Sequence, residues 1–231
     1  MRTYKSFDEF KLYADVTAKK YKFIISKYNE DYSIDVDGNV ELSREYLTEI
    51  PIQFNIVKGN FNCNVNQLIS LEGAPKIVDS FNCNCNKLKS LKGCPRIVNR
   101  HFQCTDNKLK SLDGCSELIV DEFHCQYNKL TSLEGSSHVK TNFYCFDNRL
   151  TSLKGAPEII NGNFNCSDNN LKSLEYAPKY IGGRFATHNN PFTSLKGAPE
   201  IIRDEWYMKH EKYQLFPEYQ KYLLVKKIEA L

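Results

Sequence analysis

From residue 61 onward the apolar positions of this chain fall on a fixed grid. Phe61, Phe81, Phe102, Phe123, Phe143, Phe164 and Phe185 recur every 20 or 21 residues. A cysteine stands two residues after most of them, and leucines follow at seven and ten, with polar residues between. The alternation in Phe-x-Cys predicts a short strand with both side chains turned inward. Five residues after each Phe comes Asn66, Asn86, Asn107, Asn128, Asn148, Asn169 or Asn190. This column marks where the chain leaves the strand, and its amides are expected to bond turn groups of adjacent coils that would otherwise be buried unpaired. Gly at twelve permits positive φ, and Pro at fourteen, in most copies, fixes the return segment. Ile77, Ile97, Leu118, Val139, Ile159 and Ile201 are expected to close each coil.

A short fixed period means that no unit can bury its apolar face alone, so neighbours stack around one core. The expected fold is a β-rich solenoid with a parallel sheet, a shallow arc and little helix on its back. So short a repeat leaves too little chain for a full helix per coil. Nine strand positions, Val40 to Trp206, would span on the order of 40 Å at ~4.8 Å per strand.

Three regions follow. Residues 1–39 form an N-terminal capping region. There Ser6 and Glu9 make a capping-box pattern, and Phe7, Phe10, Tyr13 and Thr17 at helical spacing predict a helix at about 6–19. Asp37-Gly38-Asn39 is a turn signal. The solenoid occupies 40–215, opening on an imperfect repeat with Leu42 in the Cys column and Leu47 and Ile50 in the Leu columns. Residues 216–231 form a C-terminal capping helix, started by Pro217, with Tyr219, Tyr222, Leu223 and Ile228 on one side.

The segment Val78-x-x-Phe81-x-Cys83-x-x-Asn86-x-Leu88 matches the signature L-x-x-L-x-L-x-x-N/C-x-L and resembles the leucine-rich repeat. The other copies match from Phe onward, while the position three before the Phe is often polar, as at Lys58, Lys140 and Asn161. The dialect of the repeat, with Phe-x-Cys and Ser-Leu-x-Gly-Ala-Pro, looks like the short-repeat proteins of tailed bacteriophages and large viruses. Short repeats also occur in effector proteins of pathogenic bacteria. The resemblance implies a non-enzymatic module whose open sheet face binds another protein, a host defence factor if the viral likeness holds.

On the sheet face the first two coils are rich in small amides, such as Asn62, Asn64 and Asn82. The middle of the array changes character, with His101, His124, Gln126, Tyr127, Tyr144 and Phe146, and His188 lies on the same face further on. Aromatic side chains near the centre of a face are what interface hot spots use. These seven residues are the candidate partner-binding set.

Lysine and arginine number 31 against 28 acids, a net charge of +3, which neither demands nor excludes nucleic acid. Lys87, Lys108, Lys129 and Arg149 form a basic rim one residue after the Asn column, which is the alternative, a nucleic-acid-binding edge. Acids interleaved nearby favour a solvated rim instead. No apolar run approaches the ~18 residues of a membrane span, and the opening residues hold no signal-peptide core. Nine cysteines without an export signal read as reduced thiols of a cytoplasmic protein. A straight inward column of Cys cannot converge on zinc, so no metal or other cofactor is expected. Catalytic motifs are missing; His101, Glu122 and His124 are the one cluster suited to acid–base chemistry, and no enzyme is expected.

Overall fold

The computed structural model describes residues 2–115, 119–136, 138–208, 213 and 215–229. Its elements run α1 (Phe7–Tyr21), β1 (Ile24–Tyr28), β2 (Ser33–Asp37), β3 (Val40–Glu41), β4 (Gln53–Asn62), β5 (Ile77–Asn82), β6 (Ile97–Gln103), β7 (Ile119–His124), β8 (His138–Val139), β9 (Phe143–Tyr144), β10 (Ile159–Ile160), β11 (Phe164–Asn165), β12 (Tyr180–Ile181), β13 (Phe185–Ala186), β14 (Ile201–Ile202), β15 (Trp206–Tyr207) and α2 (Pro217–Glu229).

The repeat period sets the register. Phe61 pairs with Phe81, Phe81 with Phe102, Phe102 with Phe123 and Phe123 with Phe143. Phe143 pairs with Phe164, Phe164 with Phe185, and Phe185 with Trp206. The result is one long sheet in the order β1-β2-β4-β5-β6-β7-β9-β11-β13-β15, parallel except for the β1–β2 hairpin. The chain is therefore a solenoid, as its period predicts. Every Phe of the column is fully buried, as are Cys63, Cys83, Cys104, Cys125, Cys145 and Cys166. Successive rings stand 5.4 Å apart from Phe61 to Phe143 and 5.8 and 5.7 Å apart beyond it. Burial alone is worth about 1.5–3 kcal/mol per ring, and ring pairing adds about 0.5–1.5 kcal/mol.

The column that closes each coil differs from the expectation. Ile97, Ile159 and Ile201 are exposed, and Ile77 is half-buried. The core is closed by their successors Val78, Val98, Ile160 and Ile202. Val139 is buried as expected, because the segment from Phe123 to it is one residue shorter than those from Phe61 to Val78 and from Phe81 to Val98. Leu118 lies outside the described residues. The one-residue slip is absorbed by register shifts before the Phe pairs, as between Val57 and Asn60 and between Val78 and Phe81. These bulges let copies of 20 and 21 residues share one stack.

Two turns need left-handed backbone in every coil. Gly73, Gly93, Gly114, Gly135, Gly155 and Gly197 take the outer one with φ between 80° and 98°; Tyr176, at 67°, replaces the glycine in the sixth coil. The inner turn falls on the residue just before each Asn: Val65, Cys85, Asp106, Tyr127, Asp147, Asp168 and Asn189, with φ between 50° and 57°. A side chain there costs roughly 1–2 kcal/mol, so the neighbouring Asn must hold the turn.

The sheet changes along the array. β4 to β7 run through the corner of the coil as strands of 6 to 10 residues. From β9 onward each crossing is two residues long, and the corner residues form a separate parallel sheet, β10-β12-β14. At the N-terminal end α1 starts on Ser6, whose hydroxyl accepts from the Glu9 amide, and buries Phe10, Ala14, Thr17 and Ala18. The Tyr13 hydroxyl donates to the Pro51 carbonyl at 3.1 Å. At the other end Trp206 packs edge-on against Tyr219 and Tyr222 of α2, and the Tyr222 hydroxyl accepts from the Trp206 amide at 2.9 Å.

Candidate functional site: the open sheet face

Each Asn side chain makes the turn below the face rigid. Asn128 Nδ2 donates to the carbonyls of Cys104 (3.0 Å), Cys125 (3.2 Å) and Gln126 (3.2 Å), and its Oδ1 accepts from the Leu109 amide at 3.1 Å. Asn86, Asn107, Asn148, Asn169 and Asn190 repeat the pattern. Asn66 does the same for the imperfect first coil, bonding the Leu42 carbonyl and the Leu47 amide. All seven are buried. Since the Asn sits three residues after the Cys, its bonds fix the strand end and hold the outward side chains of that strand in register.

The phase of the strands is the one the grid implies. Phe143 and Cys145 are fully buried, while Tyr144 and Phe146 point away from the core. They are half-buried rather than bare, because each is shielded by a neighbour from the preceding coil. The His124 and Tyr144 rings stand 4.8 Å apart, and Phe146 meets Tyr127 edge-on at 5.3 Å. Tyr127 is 53% exposed; it sits on the left-handed turn rather than on the strand. Gln126 lies beside these pairs with its Oε1 buried and without a hydrogen-bond partner among the described residues.

One coil earlier, His101 pairs across β6–β7 with Glu122. Its Nδ1 lies 3.0 Å from Glu122 Oε2, and His124 Nε2 lies 3.3 Å from the same oxygen. The other carboxylate oxygen accepts from Asn142 Nδ2 at 2.7 Å. Burial alone would raise Glu122, but the bonds from Asn142 and the two imidazoles outweigh it and hold the carboxyl below its ordinary value. His124 is pushed below its ordinary value by burial, only partly offset by Glu122. The structure thus brings His101, His124, Gln126, Tyr127, Tyr144 and Phe146 into one patch on β6, β7, β9 and the turns that follow β7 and β9. His188 is not part of it. It lies on the seventh coil, against Tyr207 (5.0 Å between rings) and Asp168 (3.5 Å), with Nδ1 buried and without a hydrogen-bond partner among the described residues.

Asn142 is the member that sequence reasoning left out of the site. Its signal was the column one residue before each Phe, where His101, Glu122 and Asn142 occupy successive coils. A shallow hollow opens on either side of the patch. One is lined by Asn60, Asn62, Ser80, Asn82, His101 and Gln103. The other lies beside Tyr144, over Asn165, Arg184, Ala186 and Asp204.

Lys87, Lys108, Lys129 and Arg149 are all exposed along one edge, held in line by backbone bonds such as Lys108 N to Leu88 O and Lys129 N to Leu109 O. Asp106 and Asp147, also exposed, stand two residues before Lys108 and Arg149, so the edge carries both signs. The nine cysteines are free thiols. Burial drives those of the inward column far above the ordinary thiol value and Cys94 up to about 12, leaving them protonated packing groups. Among the described residues, no helix is long and apolar enough to cross a membrane.

Comparison with solved structures returns a Shigella effector leucine-rich-repeat domain. It superposes with a TM-score of 0.56 at 21% identity, over 74% of this chain and 80% of that one. At this identity the likeness is one of fold: the solenoid has leucine-rich-repeat architecture, as its columns imply. No protein-family model matches the chain, and neither does any curated protein.

Proposed function

We propose that the chain is a non-enzymatic protein-binding module that docks a folded partner on its sheet face. The observation that carries this reading is the patch of interlocked rings and imidazoles on three consecutive coils, His124 on Tyr144 and Tyr127 on Phe146. None of these side chains is needed by the core, which the Phe, Cys and Leu columns already fill. Amphipathic rings held rigid by their neighbours lose little freedom on binding and bury large area, which is how interface anchors act. The flanking hollows give a partner relief to follow on both sides. The terminal helices, in this reading, close the open ends of the stack.

The effector description of the solved neighbour agrees with a partner outside the cell's own housekeeping machinery. The phage-like dialect of the repeat makes a host factor, one of defence for preference, the target class, met in the host cytoplasm. The alternative, nucleic acid along Lys87, Lys108, Lys129 and Arg149, is weaker because a phosphate backbone on that edge would also meet Asp106 and Asp147. The test is capture from cell lysate with the wild-type chain and with Tyr144→Ala plus Phe146→Ala. The double variant should lose the bound protein while melting as the wild type does. An unchanged bound set overturns the assignment of this face, and a salt-sensitive oligonucleotide shift at low ionic strength would move it to the basic edge.

A further inference from the structure

The geometry points to a binding site for a divalent transition-metal ion, zinc in the first instance, formed by His101 Nδ1, Glu122 Oε2 and His124 Nε2. This departs from the sequence expectation of no metal, which considered the cysteine column. The three ligand atoms lie within 4.8 Å of one another. Two of the separations, 3.0 and 3.3 Å, approach the edge of about 3.4 Å that a tetrahedron of zinc–ligand bonds near 2.0–2.2 Å requires. The third, between the two imidazoles, must shorten. The means is at hand, because the His101 side chain is 45% exposed and can turn toward its neighbour.

The arrangement has further marks of a built site. Glu122 and His124 stand two apart on one strand, so they share a face, and His101 sits directly across from Glu122 on the next strand. Asn142 fixes the far carboxylate oxygen at 2.7 Å, the kind of outer-sphere bond that orients a metal-ligating carboxylate. The donor set of two imidazoles and one carboxylate suits zinc, cobalt or iron(II) and gives calcium or magnesium too few oxygens. Three protein donors leave at least one position on the metal open toward solvent. That position faces outward on the sheet, where water or a donor atom of a docked protein can take it.

The test needs no partner, so its outcome is separable from that of the docking proposal. The full chain, kept reduced with a non-chelating phosphine, is titrated with zinc by calorimetry and with cobalt by visible absorption. One equivalent should bind with a dissociation constant on the order of micromolar or tighter. The cobalt spectrum should show tetrahedral ligand-field bands without a thiolate charge-transfer band. Glu122→Gln and His124→Ala should each weaken binding by about 100-fold or more, and Asn142→Ala by about 10–100-fold. Cys85→Ser, which alters the exposed thiol, should change nothing. Glu122→Gln is isosteric, so it decides the case if His124→Ala melts early. The inference is overturned if the wild type takes up no zinc below millimolar concentration, if Glu122→Gln titrates like the wild type, or if the cobalt spectrum reports thiolate.

Discussion

Replacing Asn128 by alanine tests the physical basis of the whole stack. The bonds lost are the three donated by Nδ2 and the one accepted by Oδ1. They are not equivalent. The Cys104 carbonyl keeps Asn107 as a second donor, the Cys125 carbonyl keeps Asn148, and the Gln126 carbonyl keeps the Asp106 amide. The Leu109 amide loses its only hydrogen-bond acceptor among those described. One stranded buried donor costs about 1–3 kcal/mol, and weakening of the shared bonds adds about 1 kcal/mol. The sum is about 2–4 kcal/mol, or a fall of roughly 4–16 °C in melting temperature for a chain of this size. Asn62→Ala is the control. Its half-buried side chain bonds Glu41 and the Asn64 amide near solvent, and its loss should cost below about 1 kcal/mol. Thermal melts followed by circular dichroism would compare the two, with guanidinium midpoints as a check on unfolding in stages. Equal losses, or a larger loss for Asn62→Ala, would refute the argument. Asn128→Asp should be worse than Asn128→Ala, since it turns an oxygen toward carbonyls that expect a donor.

Other consequences can be measured as directly. At pH 8 only Cys85 should react readily with a disulfide reagent in the native chain; with its pKa near 12, Cys94 has a thiolate fraction of about 10⁻⁴, and all nine thiols should react in denaturant. Several thiols reacting at the rate of Cys85 would show that the column is not packed. Gly155→Ala should destabilise by more than about 2 kcal/mol, because its Cβ would collide with the Leu133 backbone at a φ of 93°. Gly38→Ala, at φ 99° but with open space around it, should cost only the backbone strain of about 1–2 kcal/mol, and calorimetric melts that rank the two the other way would contradict the packing. Tyr144→Ala should lower stability by less than about 1 kcal/mol, since Tyr144 lies outside the core; a loss like that of a buried aromatic would remove the argument for its role in docking.

The Phe, Cys, Asn and Leu columns could be read from the chain because identical surroundings in each coil select the same residue. The closing column could not be placed by a fixed count forward from Phe, since Val78, Val98, Ile160 and Ile202 stand seventeen residues on, but Val139 sixteen and Val120 eighteen. The left-handed turn before each Asn left only a partial trace, in Asp106, Asp147, Asp168 and Asn189, types that tolerate positive φ. Val65, Cys85 and Tyr127 break that pattern, because the Asn, not the turn residue, supplies the bonds. The central patch was visible as a change of residue type on outward positions. The convergence of His101 and His124 on Glu122, and the support from Asn142, depended on cross-strand register that only the fold supplies.

The asparagine seam has a polarity. Asn86 completes the amide of Leu68, Asn107 that of Leu88, and Asn190 that of Leu171, so each rung is finished by the one that follows it in synthesis. A chain emerging N-terminus first therefore matures one layer behind its growing end, and the newest layer is always the least complete. Within this seam, shortening from the tail removes a layer's finishing bonds, whereas after shortening from the head each asparagine amide still reaches carbonyls of its own coil, as Asn107 reaches Cys104 and Thr105. Nested deletions from the two ends should thus behave unequally, with those from the tail unravelling first.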